Sequence, residues 1–266
     1  MSSRMTQRPP VISPGPVPAY AEVDKAISEA VFTCTPNDHL GMFLSGGIDS
    51  TMLLSYVLHL FGPIPVFTVA IDPSHPDLVW AETVAKHYGV RHIVLLPDAF
   101  DLFHAGDIIN RRRTHFNGDD AVYLALELAH RYGVKRIIAT DGIDELMGGY
   151  WWHANVSDRY TDVSAAFEDY WQRLDAEQIY PMKLSADRVG IEVSWPFLDD
   201  RVVQVISRIP VSERVKPGIP KAWWKRFARE YVGIPDGVVE RQKLGFVSAL
   251  TSDIGPMKVR ICGEVQ

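Results

Sequence analysis

The chain has 266 residues, 47% of them hydrophobic, and a formal net charge of −6. That is enough to bury one large core, and the acidic balance argues against a general nucleic-acid or membrane-surface binder. Two isolated cysteines, Cys34 and Cys262, offer neither a CxxC metal pair nor a disulfide framework, and no apolar run reaches membrane-spanning length, so the expected home is the cytoplasm.

Residues 1–18 are proline-rich and read as a mobile tail or an extended arm. Residues 19–33 carry Val23, Ile27, Ala30 and Val31 at helical spacing. An apolar run from Leu40 to Leu44 reads as a strand. It breaks at Ser45-Gly46-Gly47, and Met52, Leu53, Leu54, Val57 and Leu58 then follow at helical spacing until Gly62-Pro63. Pro65 to Ile71 is a second strand. Pro76 to Tyr88 is a helix with Leu78, Val79, Val84 and Ala85 inward, stopped by Gly89. Arg91 to Leu96 is a third strand, Ala99 to Ile109 and Asp119 to Tyr132 are helices, and Lys135 to Thr140 is a fourth strand.

This alternation predicts an α/β protein with a mostly parallel, doubly wound sheet. After residue 150 the strands stop, and residues 160–179, 197–209 and 220–232 read as helices of a C-terminal helical layer. The expected organisation is one domain over 19–250, with its sheet core at about 40–150 and its helical part at about 151–250, followed by a tail at 251–266.

The chemistry concentrates in two stretches. In the first, Ser45-Gly-Gly-Ile-Asp-Ser50 turns a buried strand into a helix. Adjacent glycines bring backbone N–H groups close to a ligand, and the helix N-terminus favours phosphate. Ser45 and Ser50 add hydroxyls, and Asp49 is a candidate ligand for Mg2+. A tight βα turn with a capping Ser or Asp is the plainer alternative. The second stretch, Thr140-Asp-Gly-Ile-Asp-Glu-Leu-Met-Gly-Gly-Tyr150, crowds Asp141, Asp144 and Glu145 after the fourth strand. Like charges raise one another's pKa, which a magnesium ion shared by Asp49, Asp144 and nucleotide phosphates would relieve. Alternatively, Asp144 caps the helix that follows. Ligands of such sheets sit beyond the carboxyl ends of strands at a topological switch point, so Ser45, Ile71 and Thr140-Asp141 are expected to meet in one crevice.

Together these stretches resemble the synthetase domain of the asparagine synthetase family, a branch of the PP-loop ATP pyrophosphatases with an adenine nucleotide alpha hydrolase-like fold that includes β-lactam synthetase. Further segments are similar to family signatures: Phe67 to Ile71; Ala186-Asp-Arg188, Glu192 and Pro196-Phe-Leu-Asp199; Lys221 to Arg226; and Arg241-Gln-Lys-Leu-Gly-Phe246. The resemblance runs from about residue 20 to residue 250. It implies ATP with Mg2+, adenylation of a small-molecule carboxylate with release of pyrophosphate, and transfer of the acyl group to ammonia or an amine. It places Ser45, Gly46, Gly47, Asp49 and Ser50 on the pyrophosphate, Leu44, Val69, Ile71, Thr140 and Gly142 around the rest of the nucleotide, and Asp49 and Asp144 on the metal. Lys243, Asp141 and Lys221 are its catalytic candidates, the lysines as fixed cations for phosphoryl charge.

Several features depart from that family. Only about 40 residues precede the glycine loop, too few for a glutaminase domain, so a separate glutaminase subunit, or free ammonia or an amine, is expected to supply nitrogen. Asp141 stands where the family has glutamate, Trp195 replaces an arginine-flanked turn, and the chain ends soon after Phe246. Arg111-Arg-Arg-Thr-His115 reads as a solvated charge run or as a seat for an acidic substrate or carrier-protein phosphate. Tyr150-Trp-Trp-His153 reads as core packing or an acyl pocket. Competing functions are an RNA-modifying or sulfur-transferring PP-loop enzyme and a nucleotide-binding partner subunit. A homo-oligomer is left open.

Overall fold

A computed structural model describes residues 15–34, 39–70, 73–98, 101, 105, 119–155, 159–241 and 258–262. The helices in chain order are α1 (Tyr20–Cys34), α2 (Ile48–Phe61), α3 (Pro76–Tyr88), α4 (Asp119–Arg131), α5 (Ile143–Met147), α6 (Trp151–Ala154), α7 (Val163–Leu174), α8 (Tyr180–Val189), α9 (Asp200–Ser207), α10 (Val211–Arg214), α11 (Ala222–Phe227) and α12 (Asp236–Val239). The strands are β1 (Leu40–Phe43), β2 (Val66–Val69), β3 (His92–Leu96), β4 (Arg136–Ile138), β5 (Glu192–Ser194) and β6 (Lys258–Cys262). Wider i→i+5 turns extend α7 over Asp175–Ile179 and α11 over Ala228–Val232. The chain forms two compact units, each assembled from separate segments. Among the described residues no helix is long and apolar enough to cross a membrane.

One unit comprises Thr35–Ala139, Tyr180–Ser194 and Glu240–Gln266 and contains the sheet, in the order β5-β4-β1-β2-β3-β6. All neighbours are parallel except β6, which runs antiparallel along β3. The strands β1, β2 and β3 are buried almost throughout, as strands covered on both faces must be. From β1 the chain steps outward to β2 and β3, then returns to the other side of β1 for β4, with Met42 opposite Ile138. The order reverses between β1 and β4, the topological position beyond whose strand carboxyl ends sheets of this kind bind ligands. Helix α2 has no single apolar stripe. It buries Ser50 to Leu54, Tyr56 and Val57, so its first-turn hydroxyls lie inside the protein.

The α/β class and mostly parallel sheet agree with the sequence prediction, but strands do not stop at residue 150. Strand β5 pairs with β4, and β6, within the expected tail, forms a sheet edge. Val79, expected inward on α3, is 48% exposed. Residues 180–189 form a helix that packs on α4, where none was expected. The predicted tail is described only from residue 15, and the predicted helix over Ala99–Ile109 lies outside the described residues except at Asp101 and Ala105.

The other unit comprises Met1–Cys34, Thr140–Ile179 and Trp195–Val239 and is helical. In it α1 buries Val23, Ala26, Ile27, Ala30 and Val31 and packs on α9, which buries Val202, Val203, Val205 and Ile206. An aromatic group of Tyr20, Trp223 and Phe227 packs edge-on and stacked beside them. Burial of Trp223 and Phe227 stabilises the unit by roughly 1.5–3 kcal/mol each.

Candidate active site

The glycine loop lies in the sheet unit, where β1 gives way to α2. Leu44 is a core residue. Its N–H donates to the Phe67 carbonyl at 2.9 Å, and its carbonyl accepts from the Thr68 hydroxyl at 2.5 Å. The chain turns at Gly46, whose φ is +66° and whose missing side chain makes room for the Trp80–Ala81 backbone of α3. Gly47 is the N-cap of α2 and has no side-chain cap, and Thr51 N–H makes the first helical bond to its carbonyl at 3.0 Å. The first-turn amides before Thr51 have no intrahelical acceptor, which leaves them for an anion. The two serines organise the turn. Their hydroxyls lie 3.2 Å apart, Gly47 N–H donates to Ser45 Oγ at 3.3 Å, and Ser45 N–H donates to Ser50 Oγ at 3.3 Å. Asp49 occupies the first turn of α2. Arg241 closes the loop from behind: its Nη1 donates to the Ser45 carbonyl at 2.9 Å, and its Nη2 pairs with the buried Asp77 of α3. Burial lowers the pKa of Arg241.

The carboxylate cluster lies in the helical unit. Gly142, at φ +96°, caps α5 and leaves its Cβ space to Leu198. Asp144, in the first turn of α5, forms a 2.6 Å ion pair with Lys221 Nζ, a lysine whose side chain is only 5% exposed. Lys221 is held at φ +54°, a left-handed conformation unusual for a residue with a side chain, just before α11. Its N–H donates to the Gly148 carbonyl at 3.3 Å. Gly149 is where this pair needs space, because a β-carbon there would strike the Asp144 carboxylate and come within 2.6 Å of Lys221 Cε.

Glu145 is fully buried beside this pair. It accepts hydrogen bonds from the Tyr150 hydroxyl at 2.7 Å and from Gln178 Nε2 at 3.2 Å, while Gln178 also donates to the Tyr150 oxygen at 2.7 Å. Burial, reinforced by the Asp144 charge, raises the pKa of Glu145 to about 7. Burial likewise raises that of Tyr150. Gln178 reaches this cluster from the wide turn that follows α7, a distortion often found at functional positions. Arg214 is fully buried and donates to the carbonyls of Leu146 at 3.0 Å, Ile209 at 2.7 Å and Ser207 at 3.1 Å, so it anchors the end of α5. Burial lowers its pKa to about 9.

Ser45, Gly46, Gly47, Asp49 and Ser50 thus share one loop, with Leu44 and Val69 in the core around it. Thr140, Asp141, Gly142 and Asp144 share the turn into α5, with Lys221 at Asp144. Ile71, Lys243 and Arg111–His115 lie outside the described residues. Tyr150 and His153 pack as core aromatics, Tyr150 stacked on Tyr170 at 4.3 Å and His153 against Phe167 at 4.4 Å, while Trp151 is 69% exposed. Asp77, Gln178 and Arg214 carry no motif signal, and Thr68 lies in the family-like segment Phe67 to Ile71 without any sign of its bond to the Leu44 carbonyl. Arg241 stands in a family-like motif, yet its contact with Ser45 is legible only in three dimensions.

Among the described residues no group of three or more His, Cys, Asp and Glu side chains is placed to hold a metal ion. Magnesium is commonly bound by one or two carboxylates together with substrate phosphates, and at Asp144 it would share the carboxylate with the Lys221 ammonium.

The family model described as asparagine synthase matches residues 22–179 and 161–261. The chain is 28% identical over 231 residues to the glutamine-hydrolyzing asparagine synthetase of Gallus gallus, covering 80% of this chain and 40% of that protein. It is 27% identical over 250 residues to that of Asparagus officinalis, covering 84% and 41% respectively. It therefore spans about two fifths of the length of these relatives. An NH3-dependent NAD synthetase structure from Campylobacter jejuni aligns over 73% of this chain and 98% of its own, with 15% identity and a TM-score of 0.37.

Proposed function

Because the chain belongs to the asparagine synthase family, we propose that it is an ATP-dependent ligase that forms a carbon–nitrogen bond through an acyl-adenylate. In the first step an oxygen of a small-molecule carboxylate attacks the α-phosphorus of ATP. A carbon–oxygen–phosphorus linkage forms, the Pα–O–Pβ bond breaks, and pyrophosphate leaves. In the second step ammonia or an amine attacks the acyl carbon, loses a proton, and expels AMP.

The observation that carries this proposal is the glycine loop: a left-handed Gly46, an N-cap at Gly47 without a side-chain cap, and two interlocked serines at the open end of a parallel strand. In this reading the loop amides and serine hydroxyls bind the pyrophosphate, while Lys221 and Lys243 spread the charge that grows on it. Asp141 is assigned to the nucleophile. Mg2+, held by Asp49 and Asp144, would supply charge neutralisation across the phosphates. The two asparagine synthetases compared above are glutamine-hydrolyzing, and a separate glutaminase as nitrogen source is part of this proposal.

The test is to incubate the protein with MgATP and a panel of carboxylic acids, with and without ammonium, and to identify the products. AMP and pyrophosphate formed only in the presence of an acid support the ligase. AMP formation that requires tRNA instead contradicts it and favours an RNA-modifying enzyme.

A further inference from the structure

In the sheet unit, two successive carbonyls at the entrance to the glycine loop are each held by a buried side-chain donor. The Leu44 carbonyl accepts from Thr68 Oγ1 at 2.5 Å, and Thr68 Oγ1 lies 2.7 Å from His92 Nε2. The Thr68 hydroxyl has a single proton, and it is committed to Leu44, so His92 must donate through Nε2. Its Nδ1 is then a bare acceptor, and that atom has no hydrogen-bond partner among the described residues. Burial fits the neutral ring, since it pushes the His92 pKa down to about 4. At the next carbonyl, Arg241 Nη1 donates to Ser45 O at 2.9 Å, and Asp77 holds Arg241. The side chains of Thr68, His92, Asp77 and Arg241 are all buried.

A peptide unit is planar and trans, so its C=O and N–H point in opposite directions. Fixing the Leu44 carbonyl aims Ser45 N–H the other way, where it meets Ser50 Oγ at 3.3 Å. Fixing the Ser45 carbonyl likewise aims the Gly46 N–H away from Arg241. Gly46 has the backbone freedom to let that peptide flip, and a flip would present a carbonyl oxygen, which repels phosphate, where an amide is needed. A serine-glycine loop therefore requires something to hold its carbonyls back, and these two pairs are in place to do it.

We propose that Thr68 with His92 behind it, and Arg241 with Asp77 behind it, are positioning residues that hold the Leu44 and Ser45 carbonyls away from the phosphates and thereby set the pyrophosphate affinity of the loop. The proposal rests on the glycine loop being the pyrophosphate seat.

The test measures binding of magnesium pyrophosphate and, separately, of adenosine to the full chain by calorimetry. Thr68→Val and Arg241→Met are each expected to weaken pyrophosphate binding about tenfold, the worth of one well-placed hydrogen bond, and to change adenosine affinity by less than about twofold. Thr68→Ser, which keeps the hydroxyl, is expected to restore pyrophosphate binding. If Thr68→Val does not fold, Thr68→Cys, with a similar size and a weaker donor, takes its place with the same expected direction. Pyrophosphate affinities equal to wild type in these variants overturn the proposal. So does equal loss for both ligands, the pattern of general loosening. If the wild-type chain binds adenosine but no pyrophosphate, the adenylation reading itself fails and the clamp falls with it.

Discussion

Gly149 and Lys221 show how little room the carboxylate cluster has. A β-carbon at Gly149 would occupy the space of the Asp144 carboxylate and of Lys221 Cε, and the backbone there needs no glycine for its own sake. Gly149→Ala is therefore expected to cost roughly 1–3 kcal/mol by overpacking and to remove most of the pyrophosphate release, measured by urea unfolding and by product assay. Wild-type activity in that variant would mean that the Asp144–Lys221 pair is not needed. Lys221→Met keeps the bulk and deletes the charge, leaving Asp144 largely buried without its ammonium. The expected loss is about 3 kcal/mol, and the double variant Lys221→Met, Asp144→Asn should recover part of it. At this scale the sequence was informative about residue types but not about their partners. Asp141, Asp144 and Glu145 announced a charge problem whose expected solution was a metal. The fold supplies a second solution in Lys221, far along the chain, and a third in Tyr150 and Gln178, which donate to Glu145.

The strands and helices differ in how they could be read. β1, β2 and β3 are buried, mostly apolar runs broken only by Thr68 and His92, and the helices around them end at glycines and prolines, so the alternating half of the fold was legible. β5 was not. Its three residues, Glu192 to Ser194, go from exposed to buried without an apolar run, and it is a strand only because β4 offers it an edge. β3 carries a pH dependence. His92 is 1% exposed, and its pKa falls from 6.5 to about 4 because burial disfavours the charged ring. The unfolded chain therefore binds a proton between about pH 6.5 and pH 4 that the folded chain refuses. His92 favours the folded state fully above pH 6.5, and that contribution drains away as the pH falls towards 4, by on the order of 3 kcal/mol in total. Unfolding midpoints in denaturant from pH 7 to pH 4 should fall more steeply for wild type than for His92→Gln. Equal slopes would show that the ring is not the group that titrates.

For the molecule as a whole, the proposed ligase chemistry rests on family membership, a parallel sheet whose order reverses between β1 and β4, and a glycine loop at that reversal. Asp49→Asn is expected to lower the rate of pyrophosphate formation at least about a hundredfold with little change in thermal midpoint, since under the proposed function it removes a magnesium ligand from the first turn of α2. The same rate in the variant would remove Asp49 from the site. The central claim is that the carboxylate oxygen becomes bonded to the α-phosphorus. The most direct measurement uses the acid that supports AMP formation, labelled with oxygen-18 in its carboxyl group, followed by mass spectrometry of the products after one round of reaction with ammonium. One labelled oxygen is expected in AMP and none in pyrophosphate. Label recovered in inorganic phosphate, with ADP as the nucleotide product, would contradict it.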